Sequence, residues 1–242
     1  MALMIVGAGS IAWAATILGS ARQAPALERV AARIVQGDRY KAEDLDRVAP
    51  VMAEIAATPE PRFSSLRAAV IYELRQAETA VADGRRTDID RHMDALRKVL
   101  PRALATGPSD SFLWLALFWR ETFTGGSDPT RLPLLEMSYR TGPREGWVAV
   151  RRSPWTLALY SRLVPDLQEV AVAEFVGLVQ SGFKEAASIL TGPGWSLREV
   201  LIPRLATVDE PSRKVFAKSL YRGGYDVQVP GIDRPSERPW SR

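Results

Sequence analysis

None of the first 21 residues carries a charged side chain, and Arg22 ends the run. Residues 2–21, ALMIVGAGSIAWAATILGSA, are long enough to cross the hydrocarbon core of a bilayer as one helix, which takes roughly 20 apolar residues. A helix buried in a soluble fold usually keeps at least one polar face, and this run has none. The sequence therefore predicts a membrane segment over residues 1–22, either a transmembrane signal anchor or a signal peptide. No other stretch has this pattern.

Gly19, Ser20 and Ala21 supply small residues where a signal peptide would be cut, but no basic residue precedes the apolar run. The length of the run favours a retained anchor over cleavage. Arg22, Arg29, Arg33, Arg39 and Lys41 all follow it, which by the positive-inside rule would hold the rest of the chain in the cytoplasm. Glu28, Asp38, Glu43 and Asp44 accompany those bases in a segment that reads as folded. The expected location is the inner membrane of a Gram-negative bacterium with the domain facing the periplasm. A cleaved periplasmic form comes next, and the inverted, cytoplasm-facing topology last.

The remainder of the 242-residue chain, about 200 residues, is enough for one well-buried core. Its 46% hydrophobic and 25% charged content belongs to a folded protein. Cysteine is absent, which removes disulfides, a thiolate nucleophile and thiolate metal sites. The single histidine, His92, lies in the polar helical stretch DRHMDALRKVL and reads as a solvated surface residue. No Walker loop, GxGxxG or GxSxG occurs. The carboxylates at Glu43, Asp44 and Asp46 and at Asp83, Asp88 and Asp90 fit helix starts better than a catalytic pair. The sequence thus points to no catalytic residue, no cofactor and no metal. A net charge of +4 with both signs interspersed argues against nucleic acid as a partner.

After the leader, apolar residues recur at helical spacing, and no stretch alternates as a strand does. The expected helices run over 25–36, stopped by Gly37; 41–57, broken by Pro59 and Pro61; 63–83, stopped by Gly84; and 87–105. Residues 111–123, SFLWLALFWRETF, are apolar almost all round and read as the central core helix. A short helix follows over 131–140 and a longer one over 144–163, the latter kinked at Pro154. Asp166 with Glu169 suggests a capping box opening 166–181, Ser196 with Glu199 opens another, and Asp209 caps the last, through about Tyr221. The Gly- and Pro-rich end reads as a flexible tail over 223–242 behind one all-helical domain over 23–222.

Pro108 and Pro143 stand 35 positions apart, with Trp114 six after Pro108 and Leu117 three further on. With one extra residue in the turn at 125–128, Leu135, Ser138 and Pro143 take second-helix positions, as Leu100, Ala103 and Pro108 do upstream. Over about residues 77–145 this resembles the tetratricopeptide repeat. Phe118 and Glu121 depart from it, at positions where the family has a small residue and an aromatic. The resemblance implies an all-α fold, a degenerate tetratricopeptide-like solenoid of helical hairpins preceded by one N-terminal membrane helix. The stretch PSDSFLWLALFWRE…LLEMSYRTGPREGWVAVRR is also similar to a group of exported α-proteobacterial helical proteins associated with exopolysaccharide production. That second resemblance implies a setting and not a reaction.

The aromatic zone of Phe112, Trp114, Phe118, Trp119, Phe123, Trp147 and Trp155 reads as core, with Trp147 and Trp155 the most exposed. Arg144, Arg151 and Arg152 form the densest basic cluster. Arg144 and Arg151 are seven apart and so share a helix face, and Trp155 falls near the same face if Pro154 does not disrupt the turn. Such a face suits a carboxylate or a phosphate held by bidentate guanidinium contacts, so Arg144, Arg151, Arg152 and Trp155 are the candidate partner-binding residues. The expected function is a membrane-anchored, non-enzymatic scaffold or adaptor for a protein partner, itself membrane-associated. Its setting would be exopolysaccharide synthesis or export, and residues 2–21 would be its membrane contact. The alternatives are an enzyme or enzyme subunit acting on an acidic polysaccharide, and a helical subunit of a larger membrane assembly.

Overall fold

The computed structural model describes residues 27–37, 48–59, 61–126 and 128–233, without the side chains of residues 53, 56 and 57. Every regular element among them is helical. They divide into two compact units that meet at Thr124 and Gly125. The all-α expectation holds. The proposed membrane segment lies outside the described residues, and among those residues no helix is long and apolar enough to cross a membrane.

The first unit contains α1 (27–35), α2 (Ala49–Ala57), α3 (Phe63–Ala82), α4 (Arg86–Thr106) and α5 (Ser111–Gly125). α3 and α4 pair as a hairpin whose turn passes through Gly84 at φ +69°, a conformation that favours glycine. Leu66, Val70, Leu74 and Ala77 of α3 and Met93, Leu96 and Leu100 of α4 are buried, as their spacing predicts. Val81, expected inside, is exposed in the last turn of α3, next to the Gly84 turn. At the open end of the hairpin the Phe63 ring lies over Gly107, where a Cβ would approach it to 2.0 Å. Asp110 then caps α5, its Oδ1 accepting from Leu113 N at 3.0 Å, while Arg67 grips the other oxygen at 2.5 Å.

The second unit opens with a 3₁₀ turn, Pro129–Arg131, and continues as α6 (Leu132–Thr141), α7 (Gly146–Ala158), α8 (Pro165–Gln180), α9 (Glu185–Thr191), α10 (Arg198–Arg204) and α11 (Glu210–Arg222). Its core gathers Val172, Phe175, Leu178, Leu190, Leu201 and Phe216, with the Phe175 and Phe216 rings edge-on at 6.0 Å. Three expected helix ends differ. α7 accommodates Pro154 but stops at Ala158, and a 3₁₀ turn occupies Tyr160–Arg162. α8 starts on Pro165 with Val164 as its extended N-cap, so the Asp166–Glu169 capping box does not form. Trp195–Leu197 is a 3₁₀ turn, and Ser196 does not cap α10.

The expected tail behaves differently from its composition. Val229 is 1% exposed, Val227 and Ile232 pack against the same core, and Arg213 donates to the Pro230 carbonyl. Three apolar side chains spaced along an otherwise polar segment hold 227–232 down. The reading of 23–222 as one domain with a loose end at 223 meets two units and a segment, 227–232, packed on the core of the second. Residues 77–145, which carry the tetratricopeptide resemblance, are shared between the two units.

Candidate functional site

The four candidate residues do not share a face. Arg144 is exposed and precedes α7, whose N-cap is Glu145, so the seven-residue spacing to Arg151 does not run along one helix. Arg151 and Trp155 are half-buried on α7. Arg152 is fully buried, with 0% exposure. The expected basic surface is therefore one exposed arginine, one half-buried and one interior.

Arg152 is the centre of a polar cluster that joins α6, α7 and α8. Its Nη1 donates to the Ser138 carbonyl at 2.6 Å and to Ser138 Oγ at 3.1 Å, and Nη2 reaches the Gly142 carbonyl at 3.3 Å. Nε donates to Glu174 Oε2 at 3.1 Å, and Nη2 pairs with the same carboxylate, whose side chain is 4% exposed. Glu174 Oε1 also accepts from Ser153 Oγ at 3.0 Å and from Tyr139 Oη at 2.8 Å. The guanidinium carbon lies 3.7 Å from the centroid of the Tyr139 ring, a cation–π contact in a desolvated setting. Burial, and then the Glu174 charge, hold the Tyr139 phenol well above its ordinary pKa. The carboxylate is saturated with donors and its charge is matched by Arg152. It is built as a strut between helices and not as a proton acceptor awaiting substrate.

One edge of this cluster faces a groove. Pro143, Arg144 and Gly146 at the start of α7, Ala149 further along it, and Val170, Ala173, Glu174, Gly177, Leu178 and Ser181 along α8 line a cavity of about 490 Å³ together with Phe183. The α8 residues fall at helical i, i+3 and i+4 spacing, so one face of that helix forms a whole wall. Gly146 accommodates Phe183, whose ring would meet a Cβ there at 2.6 Å. Gly177 differs, because a Cβ added to it would meet nothing within 4 Å and would project into open space.

The sequence reading missed a second buried pair, in the first unit. His92, expected in solvent, is 6% exposed, and its Nδ1 lies 2.6 Å from Glu73 Oε2 across the α3–α4 hairpin. Its place at i−4 from buried Leu96 was the available signal. Tyr72 and Gln76, one turn apart on α3, form a further buried contact at 3.2 Å. Among the described residues no group of three or more His, Asp or Glu side chains is placed to hold a metal ion. No family model, no curated protein and no solved structure matches this chain.

Proposed function

We propose that this chain is a membrane-anchored, non-enzymatic adaptor that holds a segment of a protein partner in the α7–α8 groove. The observation that carries this reading is the groove: about 490 Å³, mostly apolar, with a single arginine exposed at its end. Its volume falls in the range of ligand sites, roughly 300–1,000 Å³, while the carboxylate at its edge is already occupied by Arg152, Ser153 and Tyr139. A site with apolar walls and no available proton acceptor favours binding over bond-breaking. The apolar run 2–21 supports an anchor, with the domain on the periplasmic side of the inner membrane. The tetratricopeptide resemblance, over residues 77–145, supports a helical scaffold but does not reach the α8 wall of the groove, and the second resemblance supports a setting in exopolysaccharide synthesis or export.

The test is site-specific photo-crosslinking from Ala173, an exposed groove residue, in the full chain within its native host. A discrete protein adduct that disappears in Gly177→Leu is expected. Adducts that are absent, or indifferent to Gly177→Leu, would overturn the reading. A reporter active only in the periplasm, fused after Arg242, is expected to be active, and activity of a cytoplasm-only reporter there would reverse the topology.

A further inference from the structure

We infer that the segment held in the α7–α8 groove joins a large apolar side chain to a carboxylate, with the carboxylate docking at the Arg144 end. This rests on the adaptor reading above and adds the chemistry of the partner. Two charged side chains line the groove, and they are not equivalent. Glu174 is neutralised by a buried guanidinium that contacts both of its oxygens, so it presents almost no net field. Arg144 is exposed, and no described residue pairs with it. Arg144 is thus the one charge of the lining without a described partner, and Val170, Leu178 and Phe183 make the walls apolar. An acidic group is attracted there and a basic one repelled, which gives the groove a direction.

Gly177 leaves the groove open on its α8 wall: it is exposed, and a Cβ there would meet nothing within 4 Å. A glycine inside a helix costs about 0.5–1 kcal/mol relative to alanine. Glycine at such a position is usually explained by a close neighbour, but at Gly177 no neighbour would obstruct a Cβ. What the missing side chain provides is room beside Leu178 and Phe183 for an apolar group from outside.

The experiment selects a random peptide display library on the full-length chain in detergent micelles, with counter-selection on Gly177→Leu. That variant is expected to melt at or above the wild type, since leucine favours helix and the added side chain meets open space. Gly177→Gln serves as a second blocking variant if it does not. Enriched peptides are expected to combine a large apolar residue with Asp or Glu, and Arg144→Glu should weaken them by about tenfold or more. Apolar peptides without an acidic preference, bound equally by Arg144→Glu, would overturn the inference while leaving the adaptor groove standing. No enrichment of wild type over both blocking variants would overturn both.

Discussion

Arg152 on α7 and Glu174 on α8 form an ion pair with the arginine wholly removed from solvent. Tyr139 of α6 lies against the guanidinium face and donates to the same carboxylate, so three helices of the second unit meet at one charge pair. Withdrawing both charges from water costs several kcal/mol, offset only because nearly every donor and acceptor finds a partner. Such a cluster specifies how α6, α7 and α8 pack. It therefore also sets the shape of the groove whose wall includes Glu174.

Removing one member should be far worse than removing both. Arg152→Met leaves a buried carboxylate uncompensated and is expected to destabilise by about 3–5 kcal/mol in denaturant unfolding. The double variant Arg152→Met, Glu174→Leu should recover most of that loss. A single variant within about 1 kcal/mol of wild type would mean that the pair is hydrated in solution.

Tyr139 gives the pair a signature in alkaline solution. Its folded pKa is raised above the unfolded value, first by burial and then by Glu174. The neutral phenol is therefore favoured by the fold, and this stability is complete below the unfolded pKa of about 10. It is lost as pH rises from there towards the folded pKa. Phenolate absorbance should show one tyrosine ionising only together with unfolding, and Tyr139→Phe should remove that step. A tyrosine set that titrates fully while the helical signal persists would contradict it.

Much of the helical pattern was legible in the sequence, because glycine and capping chemistry act over a few residues. Gly84 and Gly182 stop their helices in left-handed turns, and Asp209 caps α11 by accepting from Ser212 N at 2.8 Å. The expected box at Asp166 failed because Pro165 already starts α8 one residue earlier. The site was less legible, since its partners are distant in the chain. Arg152 reads as the second half of an exposed Arg-Arg pair until Glu174, 22 residues on, is brought beside it. His92 reads as solvated until Glu73, 19 residues back, lies across the hairpin. The seven-residue spacing of Arg144 and Arg151 reads as one helix face, and nothing in it reveals that the helix begins only at Gly146.

The His92–Glu73 contact should matter to the first unit. Glu73→Leu leaves the imidazole without its strongest partner in a buried setting, an unsatisfied-donor loss of about 1–3 kcal/mol. Loss of the His92 signal's protection in exchange-sensitive NMR would accompany it. An unchanged melt and spectrum would show that the pair opens to water.

The 223–233 segment should contribute to stability as a folded part of the second unit. Val229→Asn places a polar group where a fully buried valine stands, and forfeits about 1.5–3 kcal/mol of apolar burial. Limited proteolysis should then cut after Arg222, a site that stays resistant in the wild type. Rapid cleavage there in the wild type, with no effect of the substitution, would restore the view of this segment as a loose end.

Trp114 stands between core and surface. It was expected inside, at the marker position of the tetratricopeptide resemblance, but it is half-buried, and its indole Nε1 donates to the Pro108 carbonyl at 2.7 Å. The ring closes the turn between α4 and α5, while Phe112, Leu113 and Phe118 of α5 are almost wholly buried. Trp114→Ala should therefore destabilise by about 2–3 kcal/mol, less than the roughly 3–5 kcal/mol typical of a fully buried aromatic. Trp114→Phe keeps most of the packing and loses the hydrogen bond, which predicts about 1 kcal/mol. Comparing the two by denaturant unfolding separates the contributions. A phenylalanine variant as damaged as the alanine one would assign the role of Trp114 to its hydrogen bond, and equal stability of phenylalanine and wild type would assign it to packing alone.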